Sequence, residues 1–256
     1  MDILFIAIFG LIIGSFLNMV IYRLKTGGQM IFSRSKCPKC HHLLGFSDLV
    51  PIFSFLFLKG KCRYCSKSIS WQYPLVELAS AIIFVLGYLK YFQQLVTLEI
   101  AFSYAVYLIF CSFLIVIFVY DWKYYLILDK VSLPVLVMAF IFNYLLGKSL
   151  ANLLVASLII GGFFLLQFVI SQGRWIGGGD IRLGLVMGAM LGWPKVLTAL
   201  FLAYMLGAAF ALILILLKKK QWNSQIPFGT FLTFSTVVAL LYGDNLVDWY
   251  LSLIHY

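Results

Sequence analysis

Charge is scarce in this chain: charged residues make up 11% of 256 positions, and only nine residues are acidic against nineteen basic. That supply of polar surface is too thin for a soluble domain of this length, whose exterior water must solvate. With a hydrophobic fraction of 63% and a mean hydropathy of +1.03, water is not its main solvent. A basic flank is missing before the first apolar run, which begins straight after Met1-Asp2. This excludes a cleavable signal peptide and predicts a true membrane span. No internal repeat, low-complexity tract or inverted symmetry between the two halves is visible.

What the sequence has is apolar runs. A helix crossing the hydrocarbon core needs about 20 mostly apolar residues. Eight stretches qualify, some shorter than ideal: roughly 3–22, 74–92, 100–120, 131–147, 150–171, 181–196, 197–217 and 228–246. The fold expected is all-α, a polytopic membrane bundle of about eight transmembrane helices. Gly10/Gly14, Gly161/Gly162, Gly184/Gly188 and Gly207 sit within these runs and read as positions of close helix packing.

The basic residues then fix an orientation. If the N-terminus faces outward, the inner loops are 23–73, 121–130, 172–182 and 218–227, and they hold 16 of the 19 Lys and Arg residues, leaving Lys90, Lys148 and Lys195 outside. The opposite orientation violates the positive-inside rule. Both termini are therefore expected outside. The net charge of +10 is explained by orientation and anionic lipid rather than by nucleic acid, which is not expected as a partner. Three parts result: a first span (1–22), a polar cytoplasmic loop (23–73) and a membrane core (74–256).

The loop contains four of the five cysteines. Cys37-Pro-Lys-Cys40 and Cys62-Arg-Tyr-Cys65 are two CxxC pairs separated by 21 residues. Two such knuckles supply four thiolates to a tetrahedral zinc ion. Disulfides are the competing reading, disfavoured in a reducing cytosol. Four ligands with no open position describe a structural zinc. His41 and His42 adjoin the second ligand; either could substitute for one thiolate, but solvent-exposed neighbours are the expectation. Cys111 reads as a small core residue.

Ionisable residues at membrane depth are expensive, and so are functional candidates. Asp180 closes the run Gly177-Gly178-Gly179-Asp180 and opens the sixth apolar stretch, where glycines permit close approach of substrate. Asp121 ends the third, in Val119-Tyr120-Asp121-Trp122. In the topology above both reach the inner face, where two carboxylates can share a water-filled pocket. One then serves as base toward water and the other as acid toward the leaving group. The bland alternative is that each aspartate caps a helix end. It suits Asp180 better than Asp121, because a helix C-terminus disfavours negative charge.

With these residues in view, the chain resembles the bacterial type IV prepilin peptidase family along nearly its whole length. The likeness runs through Gly14-Ser-Phe-Leu-Asn18 to Tyr22-Arg23, the paired cysteines, Asp48-Leu-Val-Pro51, Gly60-Lys-Cys-Arg-Tyr-Cys65 and Tyr73-Pro-Leu-Val-Glu77. It continues in the GGGD run and in Pro227-Phe-Gly229. The resemblance implies a GxGD aspartic peptidase with Asp121 and Asp180 as its catalytic pair, cutting prepilin or pseudopilin leaders at the cytoplasmic face of a bacterial cell membrane. It also implies N-methylation of the new N-terminus from S-adenosylmethionine, with Glu77 and the Gly14–Asn18 stretch as candidate contributors. Ile127-Leu128-Asp129 stands where Ile-Pro-Asp is common, and Arg182 where lysine is common. Asp129 is accordingly a supporting candidate, alongside the alternative of a surface-loop acid. Rival readings are a presenilin-like or signal-peptide-peptidase-like GxGD protease and a transporter. The first lacks its Pro-Ala-Leu motif here, and the second predicts midplane charges and repeated halves.

Overall fold

The computed structural model describes residues 2–27, 34–92, 97–218 and 225–254. The described chain is all-helical apart from two isolated antiparallel bridges in the cysteine loop. In order, the helices are α1 (Asp2–Thr26), α2 (Phe53–Phe57), α3 (Gln72–Tyr91), α4 (Leu98–Tyr124), α5 (Asp129–Leu145), α6 (Leu150–Ser171), α7 (Gly178–Leu191), α8 (Lys195–Leu216) and α9 (Phe228–Ile254), with a short 3-10 turn at Phe46–Asp48. Every one of the eight apolar stretches becomes a helix. Six of them, α1, α3, α4, α6, α8 and α9, are long and apolar enough to cross a membrane. The fold is a polytopic membrane helix bundle.

The other two, α5 and α7, have 17 and 14 residues. α7 stops at Leu191 because Gly192 takes φ +71° and Pro194 follows. It is the most enclosed helix of its unit, with Leu183, Val186, Met187, Ala189 and Met190 at 0% exposure, and it packs against α5, α6, α8 and α9. Asn143 of α5 donates from Nδ2 to the carbonyls of Ala189 and Met190 at 2.7 and 3.0 Å. This satisfies carbonyls that the end of any helix leaves open.

By packing, the chain divides within α4 into two compact units, 1–116 and 117–256. In the first, α1 lies on α3 at backbone contact. A Cβ on Gly10 would come within 2.6 Å of Ala81 Cα, and one on Gly14 within 2.6 Å of Glu77 Cα. Asn18 closes the seam by donating to the Tyr73 carbonyl at 3.0 Å and accepting from Gln72 Nε2 at 3.0 Å. In the second unit Gly161 faces Leu185, Gly184 faces Phe164, and Gly188 meets the backbone of Ser157. These glycines let α6 and α7 approach closely, as their spacing predicts. Gly162 has open space instead, and Gly207 makes ordinary contact with Phe228.

One expectation is corrected. The cysteine loop does contain a repeat, at an offset of 25 residues, too short and too diverged to stand out by eye. The bridge Lys36–Leu43 recurs as Lys61–Ser68. Cys37 N–H to the His42 carbonyl recurs as Cys62 N–H to the Lys67 carbonyl, and His41 N–H to Cys37 as Ser66 N–H to Cys62. His41 and Ser66 share a left-handed backbone, at φ 59° and 56°.

Candidate active site and metal centre

Asp121 sits in the last turn of α4, 5% exposed. Its Oδ2 accepts a hydrogen bond from the backbone N–H of Thr230 at 2.9 Å, and the Gly229 backbone also hydrogen-bonds to the carboxylate. Thr230 is the third residue of α9. The carboxylate at the unfavourable end of one helix is therefore stabilised by the open N–H groups beginning another. Helix capping does operate on Asp121, but on a helix distant in sequence.

Asp180 is the third residue of α7 and 8% exposed. Its Oδ2 accepts from Gly177 N–H at 3.0 Å, the reach-back half of a capping box. No other described residue donates to this carboxylate.

Ile127 brings the two aspartates to one place. A Cβ on Gly179 would lie 2.8 Å from Ile127 Cβ, and a Cβ on Gly229 would lie 2.8 Å from Ile127 Cδ1 and 2.9 Å from Asp121 Oδ2. One buried side chain thus touches the residue before Asp180 and the residue over Asp121. Both aspartates are thereby placed against the same buried side chain, one through each glycine. Of the three glycines before Asp180, only Gly179 is sterically obliged. Gly178 faces open space, and Gly177 meets little beyond Asp180 Oδ2 at 3.8 Å. The arrangement is two buried carboxylates from separate helices, with an open side at Gly178, which suits water activation and proton transfer.

The sequence reading missed Ile127 and Thr230. The signal for Thr230 was available, since Pro227-Phe-Gly229 stands where α9 starts. Asp129 is not in the pair. It opens α5 and forms an exposed ion pair with Arg182, fastening the 126–129 segment to the second turn of α7. Glu77 belongs to the first unit, 6% exposed, where its Oε2 accepts from Ile52 N–H at 2.7 Å and Ser15 also donates to it. Ile52 is held at φ 59°, a conformation β-branched residues rarely adopt.

In the loop, Cys37, Cys40, Cys62 and Cys65 place their sulfurs within 4.8 Å of one another, and Cys37 Sγ lies 4.0 Å from Cys65 Sγ. Four sulfurs around zinc at about 2.3 Å form a tetrahedron with edges of about 3.8 Å, so the set fits a metal with slight contraction. All four cysteines are free of disulfides. Burial works to raise the Cys37 thiol, but backbone N–H groups of Cys40 and Lys39 outweigh it and lower the group to about 7. Asp48 staples the two knuckles. It pairs with Arg63 at 2.8 Å and accepts from Gly45 N–H at 3.0 Å and from Tyr64 Oη–H at 3.2 Å. His42 stacks on Tyr64, with centroids 3.6 Å apart, and does not join the sulfur cluster.

Two family models match. The bacterial peptidase A24 N-terminal domain covers residues 8–91, taking in α1, the cysteine loop and α3. The type IV leader peptidase family covers residues 108–212, including Asp121 and Asp180. A protein of Aeromonas salmonicida (strain A449) named prepilin leader peptidase/N-methyltransferase is 32% identical over 96% of this chain and 93% of its own length. A protein of the same name from Bacillus subtilis (strain 168) is 33% identical over 99% of this chain and 98% of its own. The chain belongs to the type IV leader peptidase family. A more distant member, from Pseudomonas aeruginosa, still aligns over 95% of the chain at 28% identity. No solved structure matches.

Proposed function

We propose that this protein is a membrane-embedded aspartic endopeptidase that removes the leader of type IV prepilins or pseudopilins, with Asp121 and Asp180 as its catalytic pair. The observation that carries the reading is the convergence of the two buried carboxylates around Ile127, within a chain of this family. One carboxylate accepts a proton from water as its oxygen attacks the scissile carbonyl carbon. The other donates its proton to the departing amine as the tetrahedral intermediate collapses. The shared proton belongs to the pair. Each backbone N–H, from Thr230 and from Gly177, holds one carboxylate oxygen in place so that the remaining oxygen faces substrate.

The reading places the pair at the cytoplasmic face of a bacterial inner or plasma membrane, with both termini outside, on the 16-to-3 distribution of basic residues. It assigns one structural zinc to Cys37, Cys40, Cys62 and Cys65. It includes N-methylation of the cleaved product, as in the names of the relatives. S-adenosylmethionine would supply the methyl group. Glu77, Gly14 and Asn18, the candidate contributors, lie together in the first unit, engaged in hydrogen bonds and packing between α1, α3 and the loop. The test is incubation of the purified protein with a prepilin, followed by mass spectrometry of the product N-terminus. A leader left intact by well-folded protein rejects the reading, and a cleaved but unmethylated product in excess S-adenosylmethionine leaves a peptidase alone.

A further inference from the structure

Helix α2 is five residues long, and only Phe55 turns inward. Phe53, Leu56 and Phe57 are exposed at 57%, 62% and 83%, on a loop otherwise rich in basic and polar groups. Water tolerates such a cluster poorly. Beside it lies a groove of about 720 Å³ lined by Phe55, Leu56, Lys59, Lys61, Ser68 and Trp71 among others. Lys59 and Lys61 are exposed, and neither forms an ion pair with a described carboxylate.

The depth of this element is fixed by its attachments. Phe55 packs on Trp71 with ring centroids 5.0 Å apart, and Trp71 is the N-cap of α3, a helix long and apolar enough to span a membrane. Ile52, the N-cap of α2, is bonded to Glu77 in the second turn of the same span. Tryptophans favour the membrane–water boundary, so Trp71 marks headgroup level and α2 is held there with it. Aromatic residues below and lysines beside them are the composition of a segment lying in the interface.

We propose that α2 and its groove dock anionic phospholipid of the bilayer that α3 enters, with Lys59 and Lys61 on the headgroup phosphate and Phe53, Leu56 and Phe57 among the upper acyl methylenes. The occupant is argued from the charge of the two lysines and from the lipid surface that α3 necessarily brings to Trp71. The docking holds the cysteine knuckle that starts at Lys61 against the membrane, because Gly60 packs on Phe55 with a Cβ position 3.2 Å from its ring.

The test uses the full chain in nanodiscs of phosphatidylcholine, with and without phosphatidylglycerol. Native mass spectrometry counts retained phosphatidylglycerol for the wild type and for Lys59→Gln/Lys61→Gln, and p-benzoylphenylalanine introduced at Phe57 reports its neighbours by photo-crosslinking. The expected result is a drop of about 30-fold in phosphatidylglycerol affinity for the double variant, because two cationic groups no longer meet the headgroup. Retained phosphatidylcholine and metal content should be unchanged, and position 57 should yield lipid adducts. Equal phosphatidylglycerol retention by both proteins overturns the proposal, as does a position 57 that crosslinks to protein rather than lipid. Displacement of phosphatidylglycerol by inorganic phosphate identifies a soluble-anion site and equally overturns it. Loss of metal from the double variant attributes any drop to misfolding and also counts against the proposal.

Discussion

Asp121 at the end of α4 accepts its hydrogen bond from Thr230 N–H at 2.9 Å, across 109 positions of sequence. The contact ties the carboxylate to the first turn of α9, so the geometry of one proposed catalytic group depends on where another helix begins.

For the aspartates themselves, Asp121→Asn and Asp180→Asn should each abolish cleavage. The amide keeps the size of the side chain but cannot exchange the proton. The double variant should be no worse than either single one, as for groups acting as a unit. Removing a charge from membrane depth should leave insertion intact. Single-turnover assays on reconstituted protein read this out, and full cleavage by Asp180→Asn would falsify the pair.

Packing around Ile127 gives a second expectation. Gly179→Ala introduces a Cβ 2.8 Å from Ile127 Cβ and should destabilise the second unit by about 1–3 kcal/mol, with a matching loss of kcat. Removing the wedge, Cβ included, in Gly179→Ala/Ile127→Gly should recover part of that loss. A double-mutant cycle on cleavage rate measures the coupling, and strict additivity would show that the two residues do not share the contact.

The four sulfurs predict metal dependence. Protein purified without chelator should carry one zinc per chain, and Cys→Ser at any of the four positions should lower metal content and expose the loop to protease. Metal binding requires the thiolates, so protons compete with metal for all four sulfurs. Affinity should then decline with acidity. Metal analysis across a pH series checks both statements.

Ile52 and Glu77 provide the fourth. Glu77→Leu deprives Ile52 N–H of its 2.7 Å acceptor and should loosen residues 46–61, seen as faster hydrogen exchange there. Ile52→Gly relieves the positive φ and should be neutral or stabilising. Equal exchange in wild type and Glu77→Leu would show that other contacts hold the segment.

Much of this was legible in the sequence, for identifiable reasons. Eight apolar runs became eight helices because lipid forces every backbone group to bond within its own segment. The cysteine spacing specified a cluster because a CxxC knuckle closes locally. Asp180 was readable from its neighbours, since its partner Gly177 is three residues away. Ile127 was not, because its role arises only when Gly179 and Gly229 close on it, and Thr230 was marked only by the Pro227-Phe-Gly229 run where α9 starts. The place of Asp129 was equally hidden, since its partner Arg182 lies on another helix.

α7 has 14 residues, about 21 Å of helix, where the hydrocarbon layer measures about 30 Å. Roughly 9 Å of that thickness is therefore not filled by α7. Gly177 and Gly178, where the helix begins, are exposed, while Asp180 just beyond them is buried. A hydrolase in a bilayer needs water as its second substrate, and a helix shorter than the layer would give the proposed carboxylate a route to it that a full span would close.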